Sequence, residues 1–593
     1  MKDNPNYSHF WFLLILGAIS TGLYCWLREL SFIFELGQAY DKRPIPKVLI
    51  LFTCNFAMYL LAIWLVRRTA QTRVLLGMLF AFAVAFRVIL CLSTPIQEVD
   101  IYRYIWDGAV VNEGISPFRF TPQKVQVELA YKLIQEGEIL NQKDSKYRFP
   151  KKEVMQEVYK LRSAMDSAEM QKLHDRCRQD QPLLEILTRI HYSYLPSVYP
   201  TTSQIAFAFA DRITPTAVPL TTRVRIMKAV LIGFDLGTAV LVLLMLLQVG
   251  MAPGLFITYA WCPLLIKEIS NSGHLDAVAV FFTALSIFLL FRAINKIKLT
   301  NQDRWFNGNL LASATTLAFA VGAKLFPIIL VPLFACVTVS RLGWKSLLFP
   351  TVICGTLTLA LLWPMLPKDS NEETVANQVS ETDPSEGMKK FLSEWEMNDL
   401  LFMIMVENLK STKQNPTNDK IWFSYLSRDV RQSVAVEAAN IFPDADKGRL
   451  PFLTTRLVTS LIFLILAFYF ARNAILNPDL QNIGNMVFLT VAWFWLLSPT
   501  QNPWYWTWAL PFLVFARNRA WFLIAGLAMM YYLKFHLNYR YSGIEIMGTS
   551  YKGESFFHFV VVWMEFGTFF VWLFIEWLFT RKSRAVTSAP KAD

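Results

Sequence analysis

Apolar runs of about 20 residues, each able to cross roughly 30 Å of hydrocarbon, recur from one end of this 593-residue chain to the other. Lipid offers no partner to a backbone amide, so such runs fold as helices whose hydrogen bonds close within the segment. Composition agrees: 54% of the residues are hydrophobic and only 17% charged, against about a quarter charged in soluble domains. The expected fold is an all-α polytopic membrane protein. Thirteen or fourteen spans are expected, near 10–27, 48–66, 74–93, 228–248, 253–271, 275–294, 309–323, 324–339, 345–364, 454–472, 484–498, 503–516, 519–537 and 556–579. The run 203–220 is apolar but broken by Asp211, Pro215 and Pro219, which leaves open whether it spans or is re-entrant. Only Lys2 precedes the first run, and no small-residue cleavage site follows it, so it is expected to be a retained anchor.

Basic residues set the expected orientation. Arg67, Arg68 and Arg73, then Arg292, Lys296, Lys298 and Arg304, then Arg341 and Lys345, then Arg517 and Arg519, and finally Arg581, Lys582 and Arg584 all fall in short loops or at the end of the chain. Placed together on the cytoplasmic side, they define one threading with both termini inside. Arg223, Arg225 and Lys228 are the exception, falling outside. The net charge of +12 is explained by these loops, so no nucleic-acid partner is expected. The seven cysteines include no C-x-x-C pair, which points to neither a disulfide framework nor a zinc site.

The chain divides into N-terminal spans (1–93), a first external loop (94–227), central spans (228–364), a second external loop (365–453), C-terminal spans (454–580) and a tail (581–593). In the first loop, Val154, Val158, Leu161 and Met165 recur at helical spacing, as do Leu183, Leu187, Ile190 and Tyr194. Both sets predict amphipathic helices lying on the membrane or capping a site. The second loop opens with an acidic stretch, 368–386, that is expected to be mobile.

Chemistry concentrates at 98–118, EVDIYRYIWDGAVVNEGISPF, just past the third apolar run. Glu98, Asp100, Arg103 and Asp107 meet there with Tyr104 and Trp106. Ionisable residues are costly near lipid, so their gathering at a membrane exit marks a candidate site. Asp100 is the expected base and Glu98 its understudy. The alternative for Asp100 is a helix N-cap or a solvated charge. Arg103 either binds phosphate or pairs with Asp100. Asp107, with Gly108, is expected to shape a turn.

The pattern D-x-x-R-Y-x-W-D-G followed by G-x-x-P-F resembles the external catalytic loop of multi-pass GT-C glycosyltransferases. It is most similar to the bacterial mannosyltransferase-like members that use polyprenyl-phosphate sugars. Five later stretches extend the resemblance. Tyr199-Pro200 matches a family Tyr-Pro-Pro, with Thr201 departing from it. NSGHLDA (271–277) places His274 and Asp276 at a helix entrance, and GAKLFP (322–327) places Lys324 between two apolar runs. FLSEWEMN (391–398) carries Trp395 and Asn398, and SPTQNPWYWTWALP (498–511) carries Gln501, Trp504 and Tyr505.

The resemblance implies a GT-C-like bundle that moves one hexose, mannose by analogy, from a polyprenyl-phosphate donor to a glycan, glycolipid or protein acceptor, with inversion. Asp100 and Glu98 would be catalytic. Arg103, Tyr104, Trp106, Asp107, His274, Asp276, Lys324, Trp395, Asn398, Gln501, Trp504 and Tyr505 would contact substrate. No metal site is assigned, although a divalent cation is possible if Glu98, Asp100 and Asp276 converge. The expected setting is a bacterial inner membrane, with lipid contacts and the site facing outward. The alternative is a transporter or flippase of lipid-linked saccharides, with ionisable groups near span centres and paired broken helices in two halves.

Overall fold

The computed structural model describes residues 7–135, 168–300, 307–367, 383–410 and 421–587. The chain is an all-α polytopic membrane protein. Among the described residues ten helices are long and apolar enough to cross a membrane, and two more apolar helices, Gly308–Ala323 and Phe326–Leu342, are shorter. The two other expected spans are not continuous helices. Residues 253–271 form a series of short turns that starts at Pro253, restarts at Pro263 and ends in a π-helical turn, Ile266–Asn271. Residues 503–516 likewise form a single α-turn and then a tight helical run over Leu510–Phe515. Proline removes the amide that a continuing helix needs, and both stretches are buried among the spans. Irregular backbone is tolerated at that depth because protein, not lipid, surrounds it.

A buried ion pair ties one broken stretch to its neighbours. Arg87 Nε lies 2.5 Å from Asp235 Oδ2, and Arg87 Nη1 also donates to the carbonyls of Ala83 and Ala260 at 3.0 and 2.7 Å. Tyr259 donates to the other Asp235 oxygen at 2.7 Å. Three segments distant in sequence are therefore fixed by groups that would be costly to separate in lipid.

The 203–220 run does not span. Thr201–Arg212 is a helix of 12 residues, too short to cross, and Leu220 opens a new helix that continues to Val249. Thr201–Arg212 packs on the helix Ile101–Asn112 at Gly108, where a Cβ would lie 2.4 Å from the Phe207 carbonyl oxygen. Asp107 and Gly108 thus sit inside a helix rather than at the expected turn. Glycine is needed there for the close approach, not for its backbone freedom.

Two of the three exceptional cations are buried with partners, while Arg225 is exposed. Arg223 is buried against Asp180, and Lys228 is buried with its ammonium donating to the Ser93 carbonyl at 2.8 Å. Neither is a free loop charge. Three of the other basic loops gather at one end of the bundle: Arg67 lies in the field of Arg519, Arg517 donates to Asn482 at 2.7 Å, and Arg341 reaches the Pro478 carbonyl. The 98–118 stretch begins at the opposite end, one helix length away through Arg73–Cys91.

In the first external loop, Leu183, Leu187 and Ile190 are buried beneath the Gln181–Thr188 helix and the turn after it, while Tyr194 is 45% exposed. That segment caps the bundle end. Val154, Val158, Leu161 and Met165, and most of the acidic stretch 368–386, lie outside the described residues.

Candidate active site

A cavity of about 320 Å³ opens at the bundle end that carries Asp100. Its walls come from all six stretches singled out in the sequence: Asp100, Arg103 and Tyr104; Tyr199 and Pro200; Asp276; Lys324; Trp395; and Ser498, Trp504 and Tyr505 meet around it. The first of these comes from one helix start and the last from a broken span, so only the fold brings them together.

Asp100 occupies the N-cap of Ile101–Asn112, yet its side chain makes no capping bond. Its backbone carbonyl takes the amides of Arg103 and Tyr104 at 2.9 and 3.3 Å. The side chain borders the cavity, so Asp100 takes the N-cap position without the N-cap bond. The turn before it is held by Gln97, whose φ of 68° places a non-glycine residue in the left-handed region. Arg43 and Tyr539 grip the Gln97 amide at 2.5 and 3.0 Å, offsetting that cost.

Arg103 does not pair with Asp100. Its Nε donates to Asp107 Oδ1 at 2.7 Å and its Nη1 to the Leu195 carbonyl at 3.0 Å, while Nη2 has no hydrogen-bond partner among the described residues. Asp107 in turn accepts from Ser197 at 2.6 Å and from Gln204 at 3.2 Å. All of its bonds are internal, so it positions Arg103 and does not border the cavity. Trp106 is also buried away from the cavity. Tyr104 reaches the wall, stacked on Phe207 with ring centroids 4.7 Å apart.

Lys324 Nζ lies 2.7 Å from Asp276 Oδ1 and 4.2 Å from the Tyr505 ring centroid, within electrostatic reach of Asp100. It follows the last turn of Gly308–Ala323, whose final carbonyl, that of Ala323, accepts from Ser203 at 2.8 Å. Asp276 opens the helix Asp276–Thr300 and also accepts from the Trp508 indole at 2.5 Å, leaving Oδ2 without a partner among the described residues.

Several expected contacts stand one layer back from the cavity. His274 lies behind Trp504, with the two rings stacked at 4.3 Å, and its Nε2 is 3.3 Å from Glu268. Gly273, with φ of 73°, makes the tight bend before it. Lys267 and Glu268 form a buried pair, 3.2 Å apart, and Tyr532 bonds to both. Glu98 sits between this network and Asp100: burial pushes its carboxyl up to about 7, partly offset by Lys267 and His274. Its Oε1 has no partner among the described residues.

Asn398 and Gln501 are also structural. Asn398, at φ of 54°, donates to the Gln501 carbonyl and to Glu565, each at 3.2 Å. Gln501 donates to the carbonyls of Leu496 and Ser498, closing the end of Leu480–Leu497. Together with a short backbone bridge between Met397 and Thr500, they dock the second external loop against the broken span. Neither borders the cavity.

Comparison with protein-family models, curated proteins and solved structures finds no match. The assignment of function therefore rests on this geometry. Among the described residues no three His, Cys, Asp or Glu side chains gather as metal ligands, so Glu98, Asp100 and Asp276 do not form the divalent site considered above.

Sequence reasoning missed Arg456, His191 and Tyr192, all of which line the cavity. Arg456 lies near the start of the apolar run 454–472, whose other cation is the terminal Arg472, and that early charge was the available signal. Among the described residues, three cations (Arg103, Lys324, Arg456) face two carboxylates (Asp100, Asp276) on the wall. The lining also includes apolar side chains, among them Ile328, Ile329, Leu392 and Phe494.

Proposed function

We propose that this chain is an integral-membrane glycosyltransferase that moves a hexose, mannose by analogy, from a polyprenyl-phosphate donor to an acceptor on the outer face of the membrane. The observation that carries the proposal is an uncapped carboxylate, Asp100, sharing one cavity with Arg103 and Lys324. The acceptor hydroxyl oxygen bonds to the anomeric carbon and gives its proton to Asp100. The bond from that carbon to the phosphate oxygen breaks, and the electron pair leaves with the phosphate. A phosphate leaving group is weakly basic, so one carboxylate suffices and no general acid is needed. Attack opposite the departing phosphate inverts the anomeric centre.

Arg103 Nη2 and the two Lys324 protons not given to Asp276 are the donors for that phosphate. The apolar lining of the cavity suits the first units of a prenyl chain. A transporter or flippase of lipid-linked saccharides is the second reading; besides Lys267 with Glu268, which also stands off the cavity wall, the ionisable pair inside the bundle that it would use is Arg87 with Asp235. That pair is closed in by Tyr259 and the Ala260 carbonyl and does not border the cavity, which favours the enzyme.

The test is transfer by purified protein in detergent from a panel of radiolabelled polyprenyl-phosphate sugars. Asp100→Asn is expected to lower transfer by about 10²- to 10⁴-fold with donor binding retained. Equal rates for the two proteins would remove the assignment.

A further inference from the structure

At the outer mouth of the cavity, Tyr192 and Trp395 face each other with ring centroids 5.1 Å apart, and both line the cavity wall. Tyr194 lies beside Tyr192 at 6.2 Å, and Lys390 sits over the Tyr194 ring at 4.9 Å. Tyr192 is 50% exposed and Tyr194 45%, so this group is open to solvent although it continues into the site.

Two features separate it from an ordinary interfacial belt. First, Tyr192 adopts φ of 51°, a conformation that a bulky residue holds only at a cost of about 1–3 kcal/mol. The strain presents its ring at the mouth. Second, Tyr192 lines the same cavity as Asp100, so a ligand resting on its ring shares that cavity with the proposed base. An anchoring tyrosine would point away from the acids, toward lipid.

We infer that Tyr192 and Trp395 form a stacking platform for a saccharide acceptor, which makes the acceptor of this enzyme a glycan or the sugar head of a glycolipid. The inference rests on the transferase reading and extends it from donor to acceptor. Sugar rings carry a face of C–H bonds with partial positive charge, and the negative face of an aromatic ring attracts it. Hydroxyls at the edge of the same sugar stay free to bond, and one of them is directed toward Asp100. The Ile328, Ile329 and Phe494 wall, lacking such polar edges, is left to the prenyl chain of the donor.

The experiment measures binding of soluble gluco- and manno-oligosaccharides to full-length protein in detergent, by saturation-transfer NMR and by titration, with no donor present. Wild type and Asp100→Asn are expected to bind at least one oligosaccharide. Tyr192→Ala and Trp395→Ala are expected to weaken that binding about tenfold or more. Tyr192→Phe, which keeps the ring, is expected to stay within about threefold of wild type, and thermal unfolding shows that each variant is folded. Absence of binding by wild type, or unchanged binding by Tyr192→Ala, would overturn the platform. A parallel transfer assay separates the two ideas. Transfer that proceeds only to a peptide or a sugar-free lipid alcohol leaves the transferase standing and removes the platform. Oligosaccharide binding lost in Tyr192→Ala, together with no transfer from any donor, removes the transferase and keeps the platform.

Discussion

Lys324 and Asp276 close a 2.7 Å ion pair across the ends of two helices that are separated by a loop in sequence, with the Tyr505 and Trp508 rings beside the ammonium. Only part of the lysine's donor capacity is used, so the pair both fixes the helix ends and offers protons to an anion. Removing the lysine leaves a buried carboxylate without its counter-charge. Lys324→Met is therefore expected to destabilise the protein by on the order of 3 kcal/mol and to raise the donor KM more than tenfold. Thermal unfolding in detergent and donor titration read the two effects, and a variant with native donor affinity would take phosphate contact away from Lys324.

Arg103 and Asp107 act as one unit, since Asp107 is bonded only within the protein and holds the guanidinium at 2.7 Å. Asp107→Asn is expected to raise the donor KM with a smaller loss in kcat, because Arg103 swings free while Asp100 is untouched. In a double-mutant cycle with Arg103→Lys, the two changes should couple by about 1–3 kcal/mol. Strictly additive losses would mean that Asp107 does not work through Arg103.

Glu98 predicts a pH dependence of stability. Burial raises its folded pKa to about 7, above the ordinary value of 4.5. The folded protein then holds the proton more tightly than the unfolded chain does between those values. Stability falls as pH rises through about 4.5 to 7 and levels off above, by roughly 2 to 4 kcal/mol in total. Glu98→Gln should flatten this slope and unfold at a higher temperature than wild type at pH 8. A wild-type profile already flat from pH 5 to 8 would contradict the burial of a titrating Glu98.

Orientation is open to a labelling experiment. Ser116 lies beyond the helix that begins at Asp100, and Thr72 caps Arg73–Cys91 at the far end; both are exposed. A membrane-impermeant thiol reagent applied to intact cells is expected to modify a cysteine at Ser116 and to spare one at Thr72. The reverse pattern would put the cavity in the cytoplasm, away from the compartment proposed here.

Much of the architecture is legible in the residue order. Length and hydropathy alone locate ten spans and two shorter helices, because lipid leaves an apolar run little choice but a closed helix. They fail at 253–271 and 503–516, where composition is equally apolar but prolines divert the backbone, and only burial by other helices makes that diversion tolerable.

The residue order also carries the inventory of the site, since Asp100, Arg103, Lys324 and Trp504 stand out as charges and aromatics at span ends. It does not carry their division of labour. Asp107, Asn398 and Gln501 look as polar as Asp100, yet the folded chain spends their hydrogen bonds on its own backbone and side chains and leaves Asp100 to the cavity. Tyr192 looks like any loop tyrosine until packing turns it toward Trp395. Span positions follow from local transfer energies, which each segment carries by itself. Which of these polar groups stays unpaired depends on partners as far as 167 residues away, and only the tertiary structure decides that.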